Sequence, residues 1–242
     1  MKKIFLLAVF MTGCLWTFES KAEKPYVIDQ SGKKMEGDAI QVDQQGNVRL
    51  KKGQAVRTFS RNNYQVAFMP KPRNVEKMEA MLEQQRYDVI LENGGAVFDK
   101  YKYLGWAGRI TYIRVEALLA NGRAKQALRL AESAERYVTR GKAQLNMAKT
   151  SALLKLDRFE EAEKYLVELK KSATNEIAAF AFNATGKLLA QKGRKKDAVL
   201  EYLKTVLVIK PGTAPHEQEI AREQVAQILE EIGDPRYKQF EK

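Results

Sequence analysis

The 242-residue sequence has one cysteine, Cys14, and one histidine, His216. One cysteine excludes an intramolecular disulfide and, with one histidine, a four-ligand Cys/His zinc site. Histidine-dependent triad chemistry would have to run through His216. Phosphate loops of the Gly-x4-Gly-Lys-Ser/Thr kind, Gly-x-Ser-x-Gly elbows, His-Glu-x-x-His and Cys-x-x-Cys are all missing. The cluster Glu160, Glu161 and Glu163 beside Lys164 reads as a solvated helix face with ion pairs at helical spacing, not as paired catalytic carboxylates. These absences lead to the expectation of a non-enzymatic protein without cofactor or metal. Acidic residues are also outnumbered, 30 against 42 basic, a formal net charge of +12. Such a surplus favours anionic partners at long range and carries no information about fold.

No apolar run reaches the roughly 20 residues that a membrane-spanning helix needs. The longest is Ile4 to Phe18, 15 residues preceded by Lys2-Lys3 and followed by Ser20-Lys21-Ala22. A basic start, a short apolar core and small residues at cleavage spacing are the pattern of a secretory signal peptide, residues 1–22, with the mature chain starting at Glu23. The expected location is therefore periplasmic or elsewhere in the cell envelope. Met11-Thr12-Gly13-Cys14 resembles a lipobox, and the alternative is a lipid-anchored protein carrying its acyl chains on Cys14. In either case no transmembrane segment is expected in the mature chain.

Residues 25–70 contain short, partly alternating apolar stretches: Tyr26–Ile28, Ala39–Val42, Val48–Leu50, Val56–Phe59 and Tyr64–Phe68. Turn-forming Gly and Asn clusters separate them, which predicts a small all-β, SH3-like domain. Tyr26, Phe59, Tyr64 and Phe68 are expected in its core. Between Lys24 and Asn74 there are ten basic and four acidic residues, either a solvated face or a module that binds an anionic polymer or lipid headgroup. Lys71 to Asn74 marks the boundary, with Asn74 as an N-cap.

From Val75 onward the pattern is helical. Asn93-Gly94-Gly95 interrupts it, and the stretch 93–104 has no clear assignment. Beyond it, Gly122, Asp157 and Gly193 recur as turns 35 and 36 residues apart. The alanines Ala127, Ala162 and Ala198 recur at the same spacing on the returning helices. Two independent features with one period mark a repeat. In Phe182 to Pro211, Gly186 follows a bulky residue, Gly193 makes the turn, Ala198 and Tyr202 lie four apart and Pro211 closes the unit. This resembles the tetratricopeptide repeat (TPR), over about residues 104–211 and with a degenerate copy before it. The repeats as a whole are placed at 75–211, with a capping helix and tail at 214–242. The fold class is mostly α, a TPR-like α-solenoid preceded by the β domain.

The resemblance implies a scaffold or adaptor that binds a protein or peptide, the first helix of each hairpin lining a concave groove. Carried over position by position, the groove would consist of Arg109, Tyr112 and Glu116, then Gln144, Met147, Ser151 and Lys155, then Asn183, Lys187 and Gln191. The set lacks the array of basic residues with which the family grips a terminal carboxylate. Tyr112 and Met147 are the expected contact residues within this polar face. The alternative is an envelope-tethering protein acting through its basic β domain; no nucleic acid is expected.

Overall fold

The structure is a computed structural model, and it describes residues 23–240. The expected signal peptide, with Cys14 and the cleavage site before Glu23, lies outside the described residues. Six short strands come first: β1 (Tyr26–Asp29), β2 (Lys34–Glu36), β3 (Ala39–Val42), β4 (Val48–Lys52), β5 (Ala55–Phe59) and β6 (Tyr64–Phe68). They form two antiparallel three-stranded sheets, ordered β2-β1-β6 and β3-β4-β5. β2 was not expected, because Lys34-Met35-Glu36 has only one apolar residue; it is an edge strand held by Val27 pairing with Met35. Gly32, Gly46 and Gly53 have positive φ in the connecting turns, where glycine meets no Cβ clash. Asp29 and Asp43 fold their carboxylates back on the turns, Asp29 accepting from the Ser31 and Lys33 amides and Asp43 from the Asn47 amide.

All four expected aromatics, Tyr26, Phe59, Tyr64 and Phe68, are buried. Strand residues Val27, Val48, Leu50 and Phe59 share one continuous apolar cluster with Val75, Met78, Ile90, Ile110 and Ile113 of the helices that follow.

The remaining chain is helical: α1 (Arg73–Glu83), α2 (Tyr87–Tyr101), α3 (Ala107–Ala120), α4 (Ala124–Ala134), α5 (Lys142–Lys155), α6 (Phe159–Leu169), α7 (Asn175–Gln191), α8 (Lys195–Leu207) and α9 (Pro215–Glu231). α1 starts ahead of the expected Asn74 cap, at Arg73, with Pro72 in the cap position. Asn93-Gly94-Gly95 does not break a helix; α2 runs through it. A Cβ on Gly94 would lie 2.9 Å from Cγ of Arg114 and 3.1 Å from Cε of Met78, so the glycine lets α2 approach its neighbours. The kink comes later, at Lys102–Trp106, where Gly105 has φ +85°.

The four antiparallel pairs α1/α2, α3/α4, α5/α6 and α7/α8 turn by the same hydrogen-bond arrangement. Gly122, Asp157 and Gly193 all have positive φ, and Gln85 repeats this at the first turn. Each donates to the carbonyl three residues back, and the arginine after it donates to the carbonyl five back: Arg86 to Met81, Arg123 to Leu118, Arg158 to Leu153 and Arg194 to Leu189. This is a Schellman stop, which satisfies carbonyls that the helix end leaves free. Past the last three turns, Ala127, Ala162 and Ala198 are fully buried, allowing close helix approach. A Cβ on Gly186 would come within 2.8 Å of the Tyr202 ring.

Each pair also packs on the next. The first helices α1, α3, α5 and α7 are neighbours in turn, and α9 packs on α7 and α8. Gly233 and Asp234 terminate α9 with the same pair of hydrogen bonds, ahead of Pro235. Among the described residues, no helix is long and apolar enough to cross a membrane.

Candidate functional site: a cleft along the first helices

A cleft of about 1500 Å³ runs along one side of the helical array. Its walls come from Phe68, Pro70 and Lys71, the C-terminal half of α1, the exposed face of α3, the starts of α5 and α7, and the N-terminal turn of α9. It lies where α1, α3, α5 and α7 are neighbours in turn and α9 packs on α7.

Arg109, Tyr112, Glu116 and Gln144, expected in a groove, all line this cleft. Arg109 spans it: Nε donates to Glu79 Oε1 of α1 at 2.7 Å, and Nη1 donates to Glu176 Oε1 of α7 at 2.8 Å. Lys71 Nζ donates to the other Glu79 oxygen at 2.8 Å. These two cations outweigh burial and hold the Glu79 carboxyl below its usual range. Tyr112 stands on α3 between Arg109 and Glu116 and meets Phe180 of α7 edge to face, centroids 6.3 Å apart. Burial pushes its hydroxyl well above the usual phenol value.

Glu116, one turn further along α3, lies at the floor. Burial raises its carboxyl to about 7, against a Ser151 hydrogen bond and the Lys187 and His216 charges, which favour the ionised form; the Glu217 carboxylate adds to the rise. Its Oε1 is enclosed and has no hydrogen-bond partner. Glu217 faces it from the first turn of α9 and is also raised to about 7 by burial. Asn183 of α7, only 6% exposed, donates through Nδ2 to Glu217 Oε2 at 2.6 Å and to the Glu217 carbonyl at 2.8 Å. Its Oδ1 is buried and unpartnered. A row of polar groups therefore crosses four neighbouring helices, with Ser151 and Lys187 beside Glu116 and Asn183 beside Glu217.

Met147 is a correction. It is 1% exposed and packs among Leu128, Leu145 and Leu166 in the central cluster; the three- to four-residue spacing that placed it on the groove face spans an arc wide enough to include the packed edge of α5. Lys155 and Gln191 are exposed at the far ends of α5 and α7 and do not line the cleft; nor do Ser151, Asn183 and Lys187, which are reached only through Glu116 and Glu217. The repeat pattern gave no sign of Glu79, Glu176 and Glu217. Glu176 and Glu217 occupy first turns of helices, where acids are favoured by the helix dipole, and position alone makes them look like ordinary capping charges.

Cleft carboxylates come from Glu23, Glu79, Glu83, Glu116, Glu176 and Glu217, and its Lys and Arg charges from Lys71, Arg109, Arg140 and Lys142. Arg140 is engaged by Glu23 at 2.8 Å. The cleft of a strongly basic protein is thus acidic at its floor. Among the described residues, no three His, Cys, Asp or Glu side chains are grouped to hold a metal ion. No family model matches the chain, and neither a curated protein nor a solved structure matches it.

Proposed function

We propose that this chain is an exported, non-enzymatic adaptor, a TPR-like solenoid with an SH3-like β unit at its N-terminal end, which holds a segment of a partner polypeptide in the cleft. The carrying observation is the cleft itself: at about 1500 Å³ it exceeds the roughly 300–1,000 Å³ of small-molecule pockets. It also opens along the first helices, the face that helical-repeat proteins offer to partners. The recurring Schellman turns and fully buried alanines support the repeat reading. Export rests on residues 1–22 of the sequence.

The test is a photo-crosslinking residue placed at rim positions Gln85, Thr174 or Thr213, or on the β unit at Arg49 or Lys51, in the native cell. A discrete crosslinked polypeptide from the rim sites and none from the β unit is expected. Crosslinks from the β unit alone would overturn the reading.

One arrangement favours a second reading. Arg49 and Lys51 alternate with the buried Val48 and Leu50 on β4, so they share the outer face of the β3-β4-β5 sheet, with Thr58 and Val56 opposite them. On β3 their partners are Gln41 and Ala39, so the cross-strand neighbours of both cations are uncharged. This is the envelope-tethering reading: an anionic polymer or lipid headgroup held on the sheet. Sedimentation with anionic vesicles that is lost on Arg49→Glu with Lys51→Glu, and that falls steeply with salt, would support it.

A further inference from the structure

The floor of the cleft has acceptors without donors. Glu116 Oε1, at the floor, is enclosed and unpartnered, and so is Oδ1 of Asn183, which does not line the cleft but is bonded to the cleft-lining Glu217. Asn183 Oδ1 is an acceptor and Glu116 Oε1 becomes one when the carboxyl ionises, and each sits beside a second carboxyl group, since Glu116 feels the Glu217 charge and Asn183 is bonded to Glu217. A buried acceptor without a donor costs free energy, so whatever fills this floor should bring hydrogens and positive charge. A metal ion is not the natural occupant, since the carboxylates are not grouped as ligands.

We propose that the floor formed by Glu116 and Glu217, the latter held by Asn183, is the subsite for one lysine ammonium of the peptide segment that occupies the cleft. An ammonium offers three donors that separate acceptors can share, whereas a guanidinium fork prefers both oxygens of one carboxylate. Glu116 has one oxygen without a partner, and Glu217 already accepts from Asn183 through Oε2. Tyr112 and Ile177 line the same cleft, apolar surface for the lysine stem. The native cations nearby are placed otherwise: Arg109 is held between Glu79 and Glu176, and the exposed Lys187 acts on Glu116 through its charge. This inference rests on the cleft being the partner site.

The probe is a pentalysine peptide capped at both ends, titrated calorimetrically into the full chain. Its controls are the same peptide acetylated on every Nε, and 1,5-diaminopentane. Because the protein is basic, general charge attraction works against the probe. The capped pentalysine should bind, the acetylated form should not, and Glu116→Gln with Glu217→Gln should weaken binding by at least about tenfold. The unmodified chain provides a readout that needs no variant. A cation favours the ionised carboxylates, so binding near pH 7 should release protons, seen as a buffer-dependent heat, and affinity should rise from pH 6 to pH 8.

Equal binding of the acetylated peptide, equal binding by the double variant, or no proton release would overturn the proposal. Diaminopentane binding as tightly as pentalysine would overturn the assignment to a peptide lysine. The two readings fail separately. A rim-crosslinked partner indifferent to the double variant removes the ammonium subsite and leaves the cleft reading. Pentalysine bound at the floor, with no partner crosslinked at the rim, does the reverse.

Discussion

Replacing Glu116 with glutamine should stabilise the protein, and only at high pH. The folded chain binds the Glu116 proton more tightly than the unfolded chain does: burial moves the carboxyl from 4.5 to about 7. Its contribution is fully present below about pH 4.5 and is lost as pH rises through about 7, because the folded state must then ionise an enclosed carboxylate. Each pH unit of that displacement corresponds to about 1.4 kcal/mol, so wild type should lose about 3 kcal/mol at this site between pH 4 and pH 8. Glutamine has the same shape and does not ionise, and its carbonyl can still accept the Ser151 hydroxyl. The variant should therefore match wild type at pH 4 and exceed it by about 3 kcal/mol at pH 8. In a chain of this size that is about 6–12 °C in Tm. Urea unfolding of both proteins at several pH values measures the difference, and effects on titrating groups remote from Glu116 cancel between them. A difference independent of pH, or a variant less stable than wild type at pH 8, would refute the burial argument.

Three further outcomes are expected. Gly108→Ala should destabilise more than Gly186→Ala in thermal melts, because a Cβ at 108 runs into the Gly141 backbone carbonyl while one at 186 meets the Tyr202 ring, and a ring can shift where backbone cannot. Ala198→Leu should lower the melting temperature more than Ala190→Leu: Ala198 is fully buried against the next helix and Ala190 only partly so, and overpacking of this kind costs about 1–3 kcal/mol. Intact-mass analysis of the native protein should show an N-terminus at Glu23, whereas a mass fitting Cys14 with acyl chains would select the lipidated alternative.

Features that depend on local backbone chemistry are legible along the chain alone. Left-handed turns at Gly122, Asp157 and Gly193 are legible because glycine and, less often, aspartate accept positive φ; the alanines at 127, 162 and 198 are legible because close helix approach requires a small side chain. The strand stretches from Tyr26 to Phe68 and their glycine turns followed from the same reasoning. The repeat also carries an arginine directly after every turn, at 86, 123, 158 and 194, which places the first turn at Gln85 despite its lack of glycine.

Other features depend on contacts between helices distant in sequence. Gly94 sits inside a helix because Arg114 and Met78 crowd it from other helices, a reason invisible within its own segment. Met147 and Tyr112 have the same helical spacing, but only packing determines that Met147 belongs to the core and Tyr112 to a cleft wall. The acidic floor was out of reach altogether, since Glu116, Asn183 and Glu217 lie 67 and 34 residues apart in pairs and each looks unremarkable in its own helix. Ionisation cost and missing hydrogen-bond donors are properties of an enclosure, and the enclosure exists only once α3, α7 and the first turn of α9 are folded together.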